Sequence, residues 1–167
     1  MNASRRPAAS YVTALVTAAI IVAADQATKR WMLANIFEPP RRITLAPFLD
    51  FVPVWNRGIT FGLFNTDGSA QPIVFTAVAL VIVAVLLVWL RQVRRWWVAA
   101  AIGAVLGGAL GNMADRLRFG AVVDFIDFHV AGWHWWAFNV ADSAICVAVA
   151  LLALDALKGD ALSGAKE

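Results

Sequence analysis

The sequence predicts an all-α polytopic membrane protein, with four transmembrane helices and a small extracytoplasmic β-sheet segment, organised as a single membrane-embedded domain over residues 1–167. Three observations carry that expectation. Of 167 residues, 61% are hydrophobic and only 15% charged, which lies outside the range of soluble domains. Four apolar runs, at about 11–33, 72–90, 97–114 and 138–157, are long enough to cross a bilayer. Between the first two, residues 35–71 change texture: Pro39, Pro40, Pro47 and Pro53 rule out a long helix, while FLDFVPVW and ITFGLF read as strands of a small sheet lying on the membrane.

Arg5 and Arg6 precede the first run, and its Tyr11–Ala24 portion alone could pass for a secretory signal peptide. Because apolar character resumes beyond Asp25 as far as Leu33, about 23 residues at roughly 1.5 Å each make a span instead. Asp25 and Lys29 are four apart, share a helical face and can pair near its far end, as an anchoring ion pair or as part of a site. In WNRGITFG, Asn56 and Gly58 fall in a turn between two strand-like runs. Asn56 is there either an ordinary hairpin residue or a hydrogen-bonding group for an extended peptide laid against the sheet edge.

Pro72–Leu90 is an uninterrupted apolar run of 19 residues, ended by Arg91, Arg94 and Arg95 with Trp96 and Trp97 as interfacial anchors. The third run carries Gly103, Gly107 and Gly111 at four-residue intervals, with Gly108 beside them, a stripe that helix packing explains. Just beyond come Asn112, Asp115 and Arg116, within one turn of each other if the helix persists. The Arg116 guanidinium could grip a carboxylate or phosphate in two-pronged fashion, or simply anchor a helix end to lipid phosphate. The stretch from Phe119 to Trp136 reads as a loop, with Trp133, Trp135 and Trp136 suited to a membrane interface. The single cysteine, Cys146, can form no intrachain disulfide and reads as a small packing residue in the fourth run.

Four spans put both termini on one side. Of 14 basic residues, Arg5, Arg6, Arg91, Arg94, Arg95, Lys158 and Lys166 lie on the terminal side, so the count ties. The terminal-side charges sit in short segments, where the orientation rule is read, which places the termini in the cytoplasm. The net charge of +3 points to an anionic membrane surface before nucleic acid, because basic residues flank apolar runs rather than forming one patch.

Ionisable groups in so apolar a chain are costly, and Asp115, Asp124, Asp127 and Asp142 lie within the forty residues 103–142. Two carboxylates brought together in a poorly solvated place cannot both ionise easily, so one keeps a proton. The ionised member can draw a proton from water attacking a carbonyl; the other can donate to the carbonyl oxygen and the leaving amine. Asp124 and Asp142 are the expected pair, hydrolysing a peptide bond at the membrane surface without a metal. Asp127 competes with Asp124, three residues away, and Asn139 could cap the fourth helix with Asp142 in its first turn. His129 and His134 raise a metal alternative, but their spacing matches no closed site and suits interfacial hydrogen bonding.

Five motifs, in order around the four runs, closely resemble those of the lipoprotein signal peptidases, or signal peptidase II, of bacterial membranes. They are DQATK at Asp25–Lys29, WNRGITFG at Trp55–Gly62, GGALGNMADR at Gly107–Arg116, VVDF at Val122–Phe125 and FNVADSAI at Phe138–Ile145. The resemblance implies an aspartic endopeptidase, without cofactor, that removes the signal peptide from prolipoproteins by cutting before a diacylglyceryl-modified cysteine. It makes Asp124 and Asp142 the catalytic pair, with Asp25, Lys29, Asn56, Gly58, Asn112, Arg116 and Asn139 binding substrate or supporting the site. It further implies a monomer in the bacterial inner membrane, in contact with lipids and with no nucleic acid, its active site at the outer face. Two rivals stand beside it. A membrane phosphatidyltransferase pattern is imitated by Gly120, Asp124 and Asp127, but its last aspartate comes one residue early and its Asp-Gly start is missing. A proton-coupled carrier would use Asp25, Asp115 or Asp142 as a relay, although these cluster toward one face rather than in mid-span.

Overall fold

A computed structural model describes residues 6–58 and 71–163. Four helices, α1 (Arg6–Asn35), α2 (Gln71–Leu90), α3 (Trp96–Phe119) and α4 (Val140–Ser163), carry a sheet of four strands. The strands β1 (Ile43–Ala46), β2 (Leu49–Asn56), β3 (Val122–Val130) and β4 (Trp133–His134) pair antiparallel in that order. The ITFGLF run, expected as a strand at 59–64, lies outside the described residues.

Helix α3 is the central post, packed by the other three. The glycine stripe explains how: a Cβ at Gly107 would lie 2.7 Å from the Ala18 carbonyl of α1, so α1 and α3 meet backbone to backbone. At one end Ala14, Ala18, Leu90, Val93, Val98, Ala99, Ile102 and Leu106 close an apolar core. At the other end Met32, Ile36 and Phe37 of α1 and its exit pack against Val123 and Phe125 of β3. The sheet is therefore fastened to the bundle where α1 ends and β3 begins.

Among the described residues, three helices are long and apolar enough to cross a membrane, at Ala8–Asn35, Trp96–Phe119 and Val140–Leu157; the apolar stretch of α2, Val74–Leu90, is shorter. Outward-facing apolar side chains such as Val81, Val85, Val88, Val147 and Leu157 are more than half exposed, as expected of surfaces that face lipid.

The structure corrects several sequence readings. The stretch 119–136 is not a loop: VVDFIDFHV forms β3, the strand next to β2, so the sheet draws on both halves of the chain. Its first four residues are all buried, which removes the alternation that would mark a half-exposed strand. Ala131 (φ 51°) and Gly132 (φ 81°) form the two-residue turn into β4, the positive-φ pair that a tight hairpin favours. Helix α3 runs past residue 114 to Phe119, because nothing breaks it until Gly120 adopts φ 70° and donates its N–H to the Arg116 carbonyl. Helix α4 begins at Val140 rather than Phe138, whose backbone is engaged with Ile126 of β3. Cys146 is exposed on α4 instead of packed.

Candidate functional site

Where α1, α3, α4 and β3 converge, the structure buries a continuous polar network. Asn139 stands at its middle because it caps α4. Its side-chain oxygen accepts the Asp142 N–H at 2.9 Å, and the Asp142 carboxylate accepts the Asn139 N–H at 3.3 Å. This is a reciprocal capping box, so the local rule that starts the helix also fixes the rotamer of Asp142. The Asn139 amide nitrogen is left free to donate to Asp124 Oδ1 at 2.6 Å. One capping residue thus ties together the two carboxylates expected to form the pair.

Each carboxylate has a second amide donor. Asn56, at the end of β2, donates to Asp124 Oδ2 at 2.8 Å, and Asn112 of α3 donates to Asp142 Oδ1 at 2.9 Å. The Asn56 side-chain oxygen accepts the Gly58 N–H at 2.9 Å, and the Gly58 carbonyl accepts from Arg116 at 3.0 Å. Arg116 lies 5.8 Å from the Phe75 ring centre. Asn56 and Gly58 therefore act together as a turn held against α3, and Asn56 bonds Asp124 as well.

Behind this layer lies Lys29, only 2% exposed, with its ammonium 2.8 Å from Asp25, Asp115 and the Asn112 side-chain oxygen. Asp25 accepts the Ala141 N–H at 3.0 Å, placing a carboxylate against the first turn of α4. Gly111 makes this possible, since a Cβ there would lie 2.5 Å from Asp25 Oδ2. That glycine clears space for the site, a role that packing alone does not cover. All nine residues expected at the site are brought together. Two more belong to it: Asp115, read in sequence as a neighbour of Asn112 and as a relay of the rival carrier but not as part of this site, and Gln26, which donates to Asp115 at 3.0 Å and Asp25 at 3.2 Å. Both sit inside motifs already quoted, Gln26 within DQATK and Asp115 within GGALGNMADR.

Electrostatics separate Asp124 from an ordinary carboxylate. It is 0% exposed, and burial first, then the charge of Asp142, push its pKa up to about 7. The Asn56 and Asn139 donors and the Lys29 charge oppose that rise. At neutral pH the pair can therefore hold a proton.

Asp127, the rival of Asp124, is placed elsewhere. It lies opposite Asp50 in the β2–β3 ladder and faces His134 at 2.8 Å and Arg42 at 3.5 Å. His129 comes within 3.0 Å of Asp50 and its ring stacks on His134 at 5.0 Å. The two histidines are engaged with aspartates, and among the described residues no group of three or more His, Cys, Asp or Glu is arranged to hold a metal ion.

A bundle apolar on its outside that buries a tied carboxylate pair where it meets a sheet has the build of an integral-membrane enzyme. Two solved structures described as bacterial membrane enzymes share the fold. One has a TM-score of 0.76 at 28% identity, covering 93% of this chain and 92% of that one. The other has 0.74 at 30% identity, covering 87% and 93%. The lipoprotein signal peptidase of Methylorubrum extorquens is 42% identical over 152 residues, covering 89% of this chain and 88% of that protein. That of Shewanella loihica is 46% identical over 138 residues, covering 81% of each. The family described as signal peptidase (SPase) II matches residues 17–158, and this chain belongs to that family of proteases.

Proposed function

We propose that the chain is an aspartic endopeptidase that removes signal peptides from prolipoproteins, with Asp124 and Asp142 as its catalytic pair, cutting before a diacylglyceryl-modified cysteine. Family membership supports the substrate class. The observation that carries the mechanism is the Asn139 bridge, which donates to Asp124 Oδ1 at 2.6 Å while its backbone N–H holds Asp142.

Mechanistically, Asp142 is oriented by an amide side chain and a backbone N–H, and in this reading it takes a proton from an attacking water. Asp124, with its pKa near 7, is suited to hold the proton that goes to the carbonyl oxygen. As the tetrahedral intermediate collapses, Asp124 takes a proton back from its hydroxyl and the proton that Asp142 drew from water goes to the departing amine, which restores the pair. Arg116 and Asn56 hold the turn at Gly58 beside Asp124, next to where a peptide would pass.

Depth accounts for the choice of substrate. The pair lies at the sheet end of the spans, so a lipidated cysteine can keep its acyl chains in the bilayer while its upstream peptide bond reaches the carboxylates. In this reading α2 completes four spans, the termini are cytoplasmic, and the site faces outward from the bacterial inner membrane. The exposed Trp133, Trp135 and Trp136 on the hairpin leading into α4 suit contact with lipid headgroups. The enzyme works as a monomer without cofactor.

The test is to incubate purified protein with a diacylglyceryl-modified precursor and with its unmodified form, with and without chelator. The expected result is cleavage of the lipidated form alone, at equal rate in both conditions. Cleavage of neither form, or cleavage that chelator abolishes, would overturn the reading.

A further inference from the structure

The carboxylates of the proposed pair are tied by amides, but their backbones are held too, and by a matched arrangement. Asp25 Oδ1 accepts the N–H of Ala141, the residue before Asp142, at 3.0 Å. Asp115 Oδ2 accepts the N–H of Val123, the residue before Asp124, at 3.2 Å. Each member of the pair thus has a buried aspartate gripping the N–H of the residue before it. Both gripping aspartates are bridged by one ammonium, Lys29, at 2.8 Å to each.

The donor arithmetic closes. An ammonium has three N–H groups, and those of Lys29 meet Asp25, Asp115 and the Asn112 oxygen, leaving none over. Lys29 is therefore committed to holding three acceptors. Asp115 is likewise occupied, since Oδ2 serves Val123 and Lys29 while Oδ1 accepts from Gln26. It is 1% exposed, one turn before α3 ends, on the helix that leads into β3.

We propose that Asp115 is a positioning residue for Asp124, acting through the Val123 amide, and that Lys29 yokes this grip to the one Asp25 exerts beside Asp142. The proposal rests on Asp124 and Asp142 being the catalytic pair. Its physical force is that a displacement of about 1 Å in a reacting group can lower a rate on the order of 100-fold.

Geometry and charge can be separated at this position. Asp115→Asn keeps an oxygen for Lys29 and Val123 while losing the charge; Asp115→Glu keeps the charge but adds a methylene that moves the acceptor. Positioning predicts that kcat on the lipidated precursor, per folded enzyme, falls about 10-fold in Asn and about 100-fold in Glu, with KM unchanged in both. A Glu variant more active than the Asn variant would make charge the cause and overturn the proposal. So would parental kcat in both, which would leave Asp115 a folding residue only. If neither variant folds, Gln26→Met removes a donor shared by the two gripping aspartates, Asp115 and Asp25, and alters no charge. A fall of about fivefold in kcat at constant KM then supports the grip, and parental kcat overturns it. Asp124→Asn and Asp142→Asn, assayed alongside, keep the two hypotheses apart. Turnover by either removes the pair itself, whereas an inactive pair with indifferent Asp115 and Gln26 variants removes the grip alone.

Discussion

Asp124 and Asp127 lie three residues apart on one strand, both nearly sealed from solvent, yet they meet different partners. Asp124 is met by two amides and feels the charge of a second carboxylate and, in opposition, that of Lys29. Asp127 is met directly by Arg42 and His134, both about half exposed. Amides can hydrogen-bond a carboxylate without fixing its charge, so burial and Asp142 raise the pKa of Asp124 into the working range. Asp127 instead spends its oxygens on Arg42 and His134, which tie it into the sheet. The type of donor, more than the depth of burial, separates the candidate acid from the structural acid.

The largest expected effect breaks the comparison if it fails. Asp124→Asn and Asp142→Asn should each lower kcat by about 10⁴-fold or more while leaving thermal unfolding near that of the parent, because the amide preserves shape. Asp127→Asn should retain activity within about threefold. Equal losses at Asp124 and Asp127, measured on the lipidated precursor, would show that the two environments are not functionally distinct.

Asn139→Ala comes next, since it removes the bridge and the cap together. Loss of an N-cap costs roughly 1 kcal/mol, and losing the donor to Asp124 and the lock on Asp142 should lower kcat about 100-fold. The expected signature is a modest fall in unfolding temperature beside a large fall in rate, read by calorimetry and turnover on one preparation. A rate loss no larger than the stability loss accounts for would make Asn139 a helix cap only.

Much of this was legible in the sequence, for identifiable reasons. The helices announce themselves because unbroken apolar runs of about 20 residues have few other uses. Asn139 and Asp142 could be read because a capping box is a local pattern at fixed spacing. Strand β3 was not legible, because burial on both faces leaves VVDFIDFHV without alternation, and its partner β2 lies some seventy residues upstream. Gln26 and Asp115 escaped for a related reason. Their importance rests on one lysine reaching across from α1 to α3, a contact that no spacing within either helix encodes.

The pH profile sharpens the comparison further. With the pKa of Asp124 raised to about 7, its proton is present below that pH and lost above it, so kcat should fall roughly tenfold per unit on the alkaline side. The stability contributed by this group follows the same sign: it is present below the ordinary value of 3.8 and lost as pH rises through about 7. The Asn56 hydrogen bond holds that pKa down, so Asn56→Ala should move the alkaline limb to higher pH. A limb that stays put, or moves down, would detach Asn56 from Asp124.

The smallest effect concerns the other cluster. The Thr44 hydroxyl first, then the charges of Arg42 and His129, hold Asp50 below the ordinary carboxylate range against the opposing pull of burial. A lowered pKa stabilises the fold above the ordinary value, and that contribution disappears as pH falls through the folded one. Arg42→Ala should therefore leave turnover within about twofold, since exposed ion pairs contribute little. It should nevertheless lower the unfolding temperature slightly at neutral pH, because the contribution it weakens is present above the ordinary value. Thermal melts at neutral pH and near about pH 4 would read this: a slightly lower value for the variant at the first and a smaller difference at the second. A large loss of turnover at neutral pH would instead join the sheet cluster to the chemistry of Asp124, and the contrast between the two aspartates of β3 would no longer hold.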